Sequence, residues 1–221
     1  MTLRATFQTL AATAVMTLAV PALARADGDA ERGRQLTYTC YGCHGIPNYK
    51  NVYPTYSVPK LQGQSPEYLA AALAGYRSGD RSHATMHAQA STMNDKDMQD
   101  IATFLAGKPL TPDAGAKPEG QMPEKAQNVC VSCHGPDGIG VTGMYPNLAG
   151  QHADYLERAL LDYKSGARKN PVMGGFVADL SKEEIREVAE YYSKQKPSLV
   201  TAQHAMWFVQ EKHDDKPAEK K

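Results

Sequence analysis

All four cysteines of this 221-residue chain fall in two pentads of one pattern, Cys40-Tyr41-Gly42-Cys43-His44 and Cys130-Val131-Ser132-Cys133-His134. C-x-x-C-H is the attachment pattern of haem c, so the chain is expected to carry two covalently bound haem c groups. The two thiols of each pentad form thioethers to the vinyl groups of one haem, and the adjacent histidine is tethered where its imidazole binds the iron. Nothing else in the sequence constrains the fold as much. Each half is under about 100 residues and poor in large apolar side chains, a weak basis for an independent core. A large apolar plate at its centre lets a few short helices suffice. A zinc ribbon brings its cysteine pairs within roughly 15–20 residues, and a thioredoxin-type pair expects buried strands in a βαβ setting. Neither fits these pairs.

Residues 1–26 read as a secretory signal peptide: Arg4, an apolar run over 10–20, Pro21, and Ala24-Arg25-Ala26 before a cleavage point at Asp27. The run is too short to span a bilayer, and no later segment approaches about 18 apolar residues, so no transmembrane span is expected in the mature chain. Export and haem c agree, and place the protein in the periplasm, with association at the membrane surface an open option. Lys and Arg number 24 against 24 Asp and Glu. This balance lacks the basic excess that nucleic-acid binding usually shows.

The chain repeats itself. Pro59-Lys60-Leu61-Gln62-Gly63-Gln64 aligns with Pro146-Asn147-Leu148-Ala149-Gly150-Gln151, and the same offset carries Tyr68-Leu69 onto Tyr155-Leu156, Tyr76 onto Tyr163, Ser78-Gly79 onto Ser165-Gly166 and Arg81 onto Arg168. Between His44 and Pro59 the first half has a longer loop, rich in Asn48, Tyr49, Tyr53 and Tyr56. In each half the pattern predicts a short first helix (30–39 and 123–129), a second over 66–77 and 153–164, and a last one capped by Asn94 or Ser181. The last helix presents Met98, Ile101, Phe104 and Leu105, matched by Ile185, Val188, Tyr191 and Tyr192, as its apolar face. The expected layout is a first haem domain over 27–107, a Pro- and Gly-rich linker over 108–122, a second haem domain over 123–196 and a C-terminal extension over 197–221.

The second axial position decides the chemistry: methionine raises the potential and closes the iron, whereas an open position admits peroxide or oxygen. The first half offers Met86, Met93, Met98, His83 and His87. Only Met86 falls on a methionine, Met173, at the repeat offset; Met93 falls on Leu180 and Met98 on Ile185. Met86 and Met173 are therefore the expected thioether ligands, each in a loop before the last helix. The carbonyls of Pro59 and Pro146 are candidates to accept from the other ring nitrogen of His44 and His134 and fix their orientation. Tyr53-Pro54 also resembles Tyr145-Pro146 locally.

From about residue 30 to 196 the sequence resembles the dihaem class I cytochromes c of the cytochrome c4 type. The resemblance rests on C-x-x-C-H-G twice, P-x-L-x-G-Q twice, the Tyr-x-Ser-Gly element twice and the methionine before the last helix. It implies an all-α fold of two tandem cytochrome c-like haem domains related by an internal repeat, with haem propionate edges near each other at the interface. It also implies a role carrying single electrons between redox proteins of a respiratory chain, from a membrane-bound or periplasmic donor to an oxidase or reductase. The first-half loop and the C-terminal extension depart from the simplest family pattern.

In that extension Leu199, Ala202, Met206 and Val209 are helix-spaced, beside Trp207 and Phe208. His204 and His213 are minor alternatives as iron ligands. The leading function is an electron carrier without catalysis of its own. The alternatives are a dihaem enzyme of peroxidase type, for which His83 and His87 are the available distal groups, and a dedicated electron-transfer subunit of a dehydrogenase complex.

Overall fold

The computed structural model describes residues 28–112 and 117–202. The signal segment, part of the linker and the extension beyond 202, with Met206, Trp207, Phe208, Val209, His204 and His213, lie outside the described residues. The described chain is helical, with only isolated bridges in place of strands.

The first half contains α1 (Ala30–Leu36), α2 (Tyr41–His44), α3 (Pro66–Ser78), α4 (Ala84–Ala90) and α5 (Asp95–Ala106). The second contains α6 (Val131–His134), α7 (Ala153–Ser165), α8 (Pro171–Val177) and α9 (Lys182–Ser193), with a π-turn at Ala126–Cys130 leading into α6. Proline at the start of α3 supplies a preset φ where its missing N–H costs nothing. Gly79 and Gly166 end α3 and α7 in the left-handed region, at φ 82° and 79°. Asn94 and Ser181 each form a full capping box, with Asp97 and Glu184 returning the bond.

Three sequence expectations are corrected. The methionines before the last helix sit on helices α4 and α8, not in loops. The helix before the first haem motif stops at Leu36, and its counterpart in the second half is the π-turn. Residues 199–202 are extended: Val200 pairs with Gln62 of the first half, Leu199 N–H donates to Ala149 O (2.8 Å) in the second, and Ala202 joins the first half's core. A segment that crosses both halves must follow their shared surface, and that overrides helical spacing.

The core is divided. Tyr41, Leu69, Ile101, Ala102 and Leu105 cluster in the first half; Ala126, Leu156, Val188, Ala189, Tyr191 and Tyr192 cluster in the second, beside a smaller group of Val177, Leu180 and Ile185. Helix α5 packs on α1 and α3, and α9 packs on α7. The halves meet by exchange: Ser82 N–H donates to Ala167 O (2.9 Å) and Lys169 N–H to Asp80 O (2.6 Å), flanking a bridge between Arg81 and Arg168. Each contact recurs with the halves swapped, as in an isologous two-fold interface.

Candidate functional site

In each haem motif the first cysteine, Cys40 or Cys130, is the N-cap of a single helical turn that carries the second cysteine and the histidine, and the i, i+3, i+4 spacing puts all three on one side. His44 Nδ1 lies 2.9 Å from the carbonyl oxygen of Pro59, and His134 Nδ1 lies 3.0 Å from that of Pro146. A carbonyl oxygen only accepts, so Nδ1 carries the proton in both rings and the Nε2 lone pair is left for a metal. Burial lowers both histidine pKa values more than the carbonyl bonds raise them, which keeps the imidazoles neutral and able to ligate. Pro54, the other candidate proline, belongs to the loop at 47–56, where Asn51 N–H donates to Tyr56 O (2.9 Å).

The four cysteines form no disulfide. Burial pushes the thiols of Cys40 and Cys130 up, Cys130 to about 11, so neither resembles the low-pKa nucleophile of a dithiol redox centre. Among the described residues no group of three or more His, Cys, Asp or Glu side chains is placed to hold a metal ion by itself.

One continuous cavity of about 1560 Å³ runs through both halves. It exceeds the roughly 300–1,000 Å³ of a single small-molecule site. Cys40, Cys43, His44 and Met86 line it from the first half, and Cys130, Cys133, His134 and Met173 from the second. Met93 also borders it, whereas Met98, 2% exposed, lies in the core. His83 caps α4: its Nδ1 accepts from Met86 N–H at 3.2 Å, and its Nε2 lies 3.3 Å from Asn51 Oδ1. Both ring nitrogens thus have partners within the protein. Asn170 caps α8 in the same way, accepting from Met173 N–H at 3.1 Å. His87 is exposed, and its Nδ1 donates to Tyr76 O at 2.8 Å.

Two further residues on the cavity had no role assigned from sequence. Arg81 and Arg168 are 8% and 9% exposed, and both line it. Arg168 donates to Tyr68 OH of the other half (2.7 Å), and Arg81 to Tyr155 OH (3.4 Å), while Arg81 Nε is buried without a partner. Among the described residues neither pairs with a carboxylate. Burial pushes Tyr68 up, but Arg168 and Arg81 outweigh it and hold the phenol at about 8; burial takes Tyr155 up to about 12. Two buried cations beside a cavity, unmatched by acids, suit a ligand that brings its own anions, as haem does with its propionates. The signal in sequence was the repeat itself, which aligned Arg81 with Arg168.

The cytochrome c family model matches residues 30–108 and again 124–196. Cytochrome c4 of Pseudomonas aeruginosa is 31% identical over 191 residues, covering 80% of this chain and 94% of the relative. A thiosulfate dehydrogenase electron acceptor of Stutzerimonas stutzeri is 33% identical over 170 residues, covering 70% and 77%. The solved cytochrome c4 of Acidithiobacillus ferrooxidans superposes with a TM-score of 0.57 at 30% identity, over 71% of this chain and 98% of that one. The twofold match, the paired motifs and the shared cavity lead to one assignment: the chain belongs to the cytochrome c family, as a two-domain, dihaem electron carrier of the c4 type.

Proposed function

We propose that the protein carries single electrons between redox partners in the periplasm. In this reading Cys40, Cys43, Cys130 and Cys133 form the thioethers, and His44 with Met86, and His134 with Met173, supply the axial ligands. The observation that carries it is the pair of neutral histidines, each held through Nδ1 by a proline carbonyl beside one cavity that Met86 and Met173 also border. Each bound haem supplies a one-electron ferric/ferrous couple. The protein's part would be to hold each imidazole still through its proline carbonyl and to offer the Met86 or Met173 sulfur to the same group. Arg81 and Arg168 would hold the propionates. Periplasmic placement is supported by the leader pattern at 1–26, and by the c4 relatives; among the described residues no helix is long and apolar enough to cross a membrane.

Optical spectra of the purified protein test the ligation. Two low-spin haems, a sulfur-to-iron charge-transfer band and no carbon monoxide binding are expected; a high-spin fraction that binds carbon monoxide overturns it and returns the peroxidase-type alternative. Met86→Ala and Met173→Ala should each open one haem to carbon monoxide. A narrower reading, as the electron acceptor of a dehydrogenase, is favoured by the similarity to the Stutzerimonas stutzeri protein. Its test is reduction of this chain by thiosulfate with a purified thiosulfate dehydrogenase. Rapid reduction supports that partner, and no reduction removes it.

A further inference from the structure

We infer that Gln64 and Gln151 are crossed positioning residues: each holds, from its own half, the peptide that orients the iron-binding histidine of the other half. The inference deepens the electron-carrier reading and rests on its histidine assignment. Gln151 accepts from Lys60 N–H through Oε1 and donates to Lys60 O through Nε2, both at 2.9 Å. Gln64 does the same to Asn147, at 2.8 Å from its N–H and 2.9 Å to its carbonyl.

Lys60 and Asn147 each directly follow the proline that takes a histidine proton. The carbonyl of Pro59 and the N–H of Lys60 belong to one planar peptide unit. His44 grips one edge of that plane and Gln151 grips the other, so the glutamine of the second half sets the tilt of the acceptor that orients the first half's ligand. The mirror arrangement joins Gln64, the Pro146–Asn147 peptide and His134. Outer contacts repeat as well, with Lys60 Nζ donating to Gly150 O at 2.6 Å and Asn147 Nδ2 to Gly63 O at 2.8 Å. Both glutamines are buried, 3% and 4% exposed, so water does not replace these bonds. Each Oε1 also accepts from the next residue's N–H, Ser65 at 3.0 Å and His152 at 3.1 Å, which ties the clamp to the start of α3 or α7.

The strength of the bond from Nδ1–H to its acceptor tunes the basicity of a ligating imidazole. A firm bond makes the histidine a better donor to ferric iron; a loosened peptide weakens it and raises the potential of that iron. Mere glue between halves would affect both irons alike or neither.

The test uses the full-length dihaem protein. Met86→His, which replaces a potential-raising ligand, identifies the first-half couple as the one that falls. Gln151→Met keeps the volume and removes both bonds. It should raise the first-half couple by about threefold in the ferrous-to-ferric ratio, roughly 30 mV on the one-electron scale of 59 mV per tenfold. The His44 Nδ1–H proton resonance should move with it, while the second-half couple stays in place. Gln64→Met should raise the second-half couple and leave the first-half couple in place. A shift confined to the mutated half, an equal shift in both, or none overturns the inference. If Met86→His moves neither couple, the ligand assignment has failed, and the Nδ1–H resonances alone decide the crossing. Should the methionine variants lose haem, amide exchange in the unaltered protein decides: slow exchange at Lys60 and Asn147 supports the clamp, and exchange at the solvent rate at either overturns it.

Discussion

Asp100 has no exposed surface yet serves as a charged anchor. It accepts from Asp29 N–H (2.7 Å), Arg32 Nη1 (2.5 Å) and Lys96 Nζ (2.8 Å). Burial pushes its carboxyl up, but the bonds from Lys96, Arg32 and Asp29 outweigh it and hold the pKa at about 2. Because the folded value lies below the ordinary one near 3.9, its stabilisation is present above about pH 4 and is lost as pH falls from there to about 2. Asp100→Asn should cost roughly 1–3 kcal/mol at neutral pH. Thermal midpoints of variant and parent, measured down the pH scale, should converge as pH approaches 2; a constant gap would show that the charge is not what matters. At this scale the positions of the cysteines, histidines and paired methionines that border the cavity could be picked out in sequence, because the motif and the repeat mark them; their ligand roles belong to the proposal. Asp100 was not, since an acid in the middle of an amphipathic helix looks like any solvated residue until the partner helix is known.

Helix α1 crosses α5 at a point where only glycine fits. A Cβ on Gly33 would lie 2.0 Å from the backbone oxygen of Asp100, and a backbone atom cannot swing aside. Gly33→Ala should therefore separate α1 from α5 and cost about 3 kcal/mol. Urea unfolding of the haem-loaded protein measures it, and a loss under about 1 kcal/mol would mean that α1 shifts freely instead. The capped helices were readable from sequence to within a residue or two, because Asn94 and Ser181 start them and acids follow. Helices α4 and α8 were missed for a physical reason. Each has only seven residues and carries one signal without the other: α8 opens on Asn170-Pro171, a usual start, but contains Gly174-Gly175, whereas α4 is rich in alanine but is capped by a histidine. Their N-caps hold the amides of Met86 and Met173, so the two undetected elements carry the two proposed sulfur ligands.

At the scale of the whole molecule, the repeat was visible in sequence but the way its copies meet was not. Nothing in a linear alignment says that Gln64 faces Asn147, or that Arg168 reaches Tyr68. The first-half loop is likewise held from across the interface, with Asp154 accepting from Ser57 N–H (3.1 Å), Ser57 Oγ (2.9 Å) and Lys50 Nζ (3.3 Å). The arginines and the glutamines should therefore have opposite signatures. A glutamine acts through one peptide on one histidine, so its effect is crossed and local. Arg168 places a buried charge on a cavity common to both halves, and a charge acts on everything within range. Arg168→Met removes a cation that disfavours the ferric, more positive state of either iron, so both midpoints should fall. At an effective dielectric of about 20 a unit charge still shifts a centre roughly 15 Å away by about 1 kcal/mol, so a change of that order is expected in both couples. Spectroelectrochemical titration resolves the two couples. A fall in both, larger at low salt than at high only if water enters the interface, is the expected result. A fall confined to one couple would show that the two halves do not share the field of that charge.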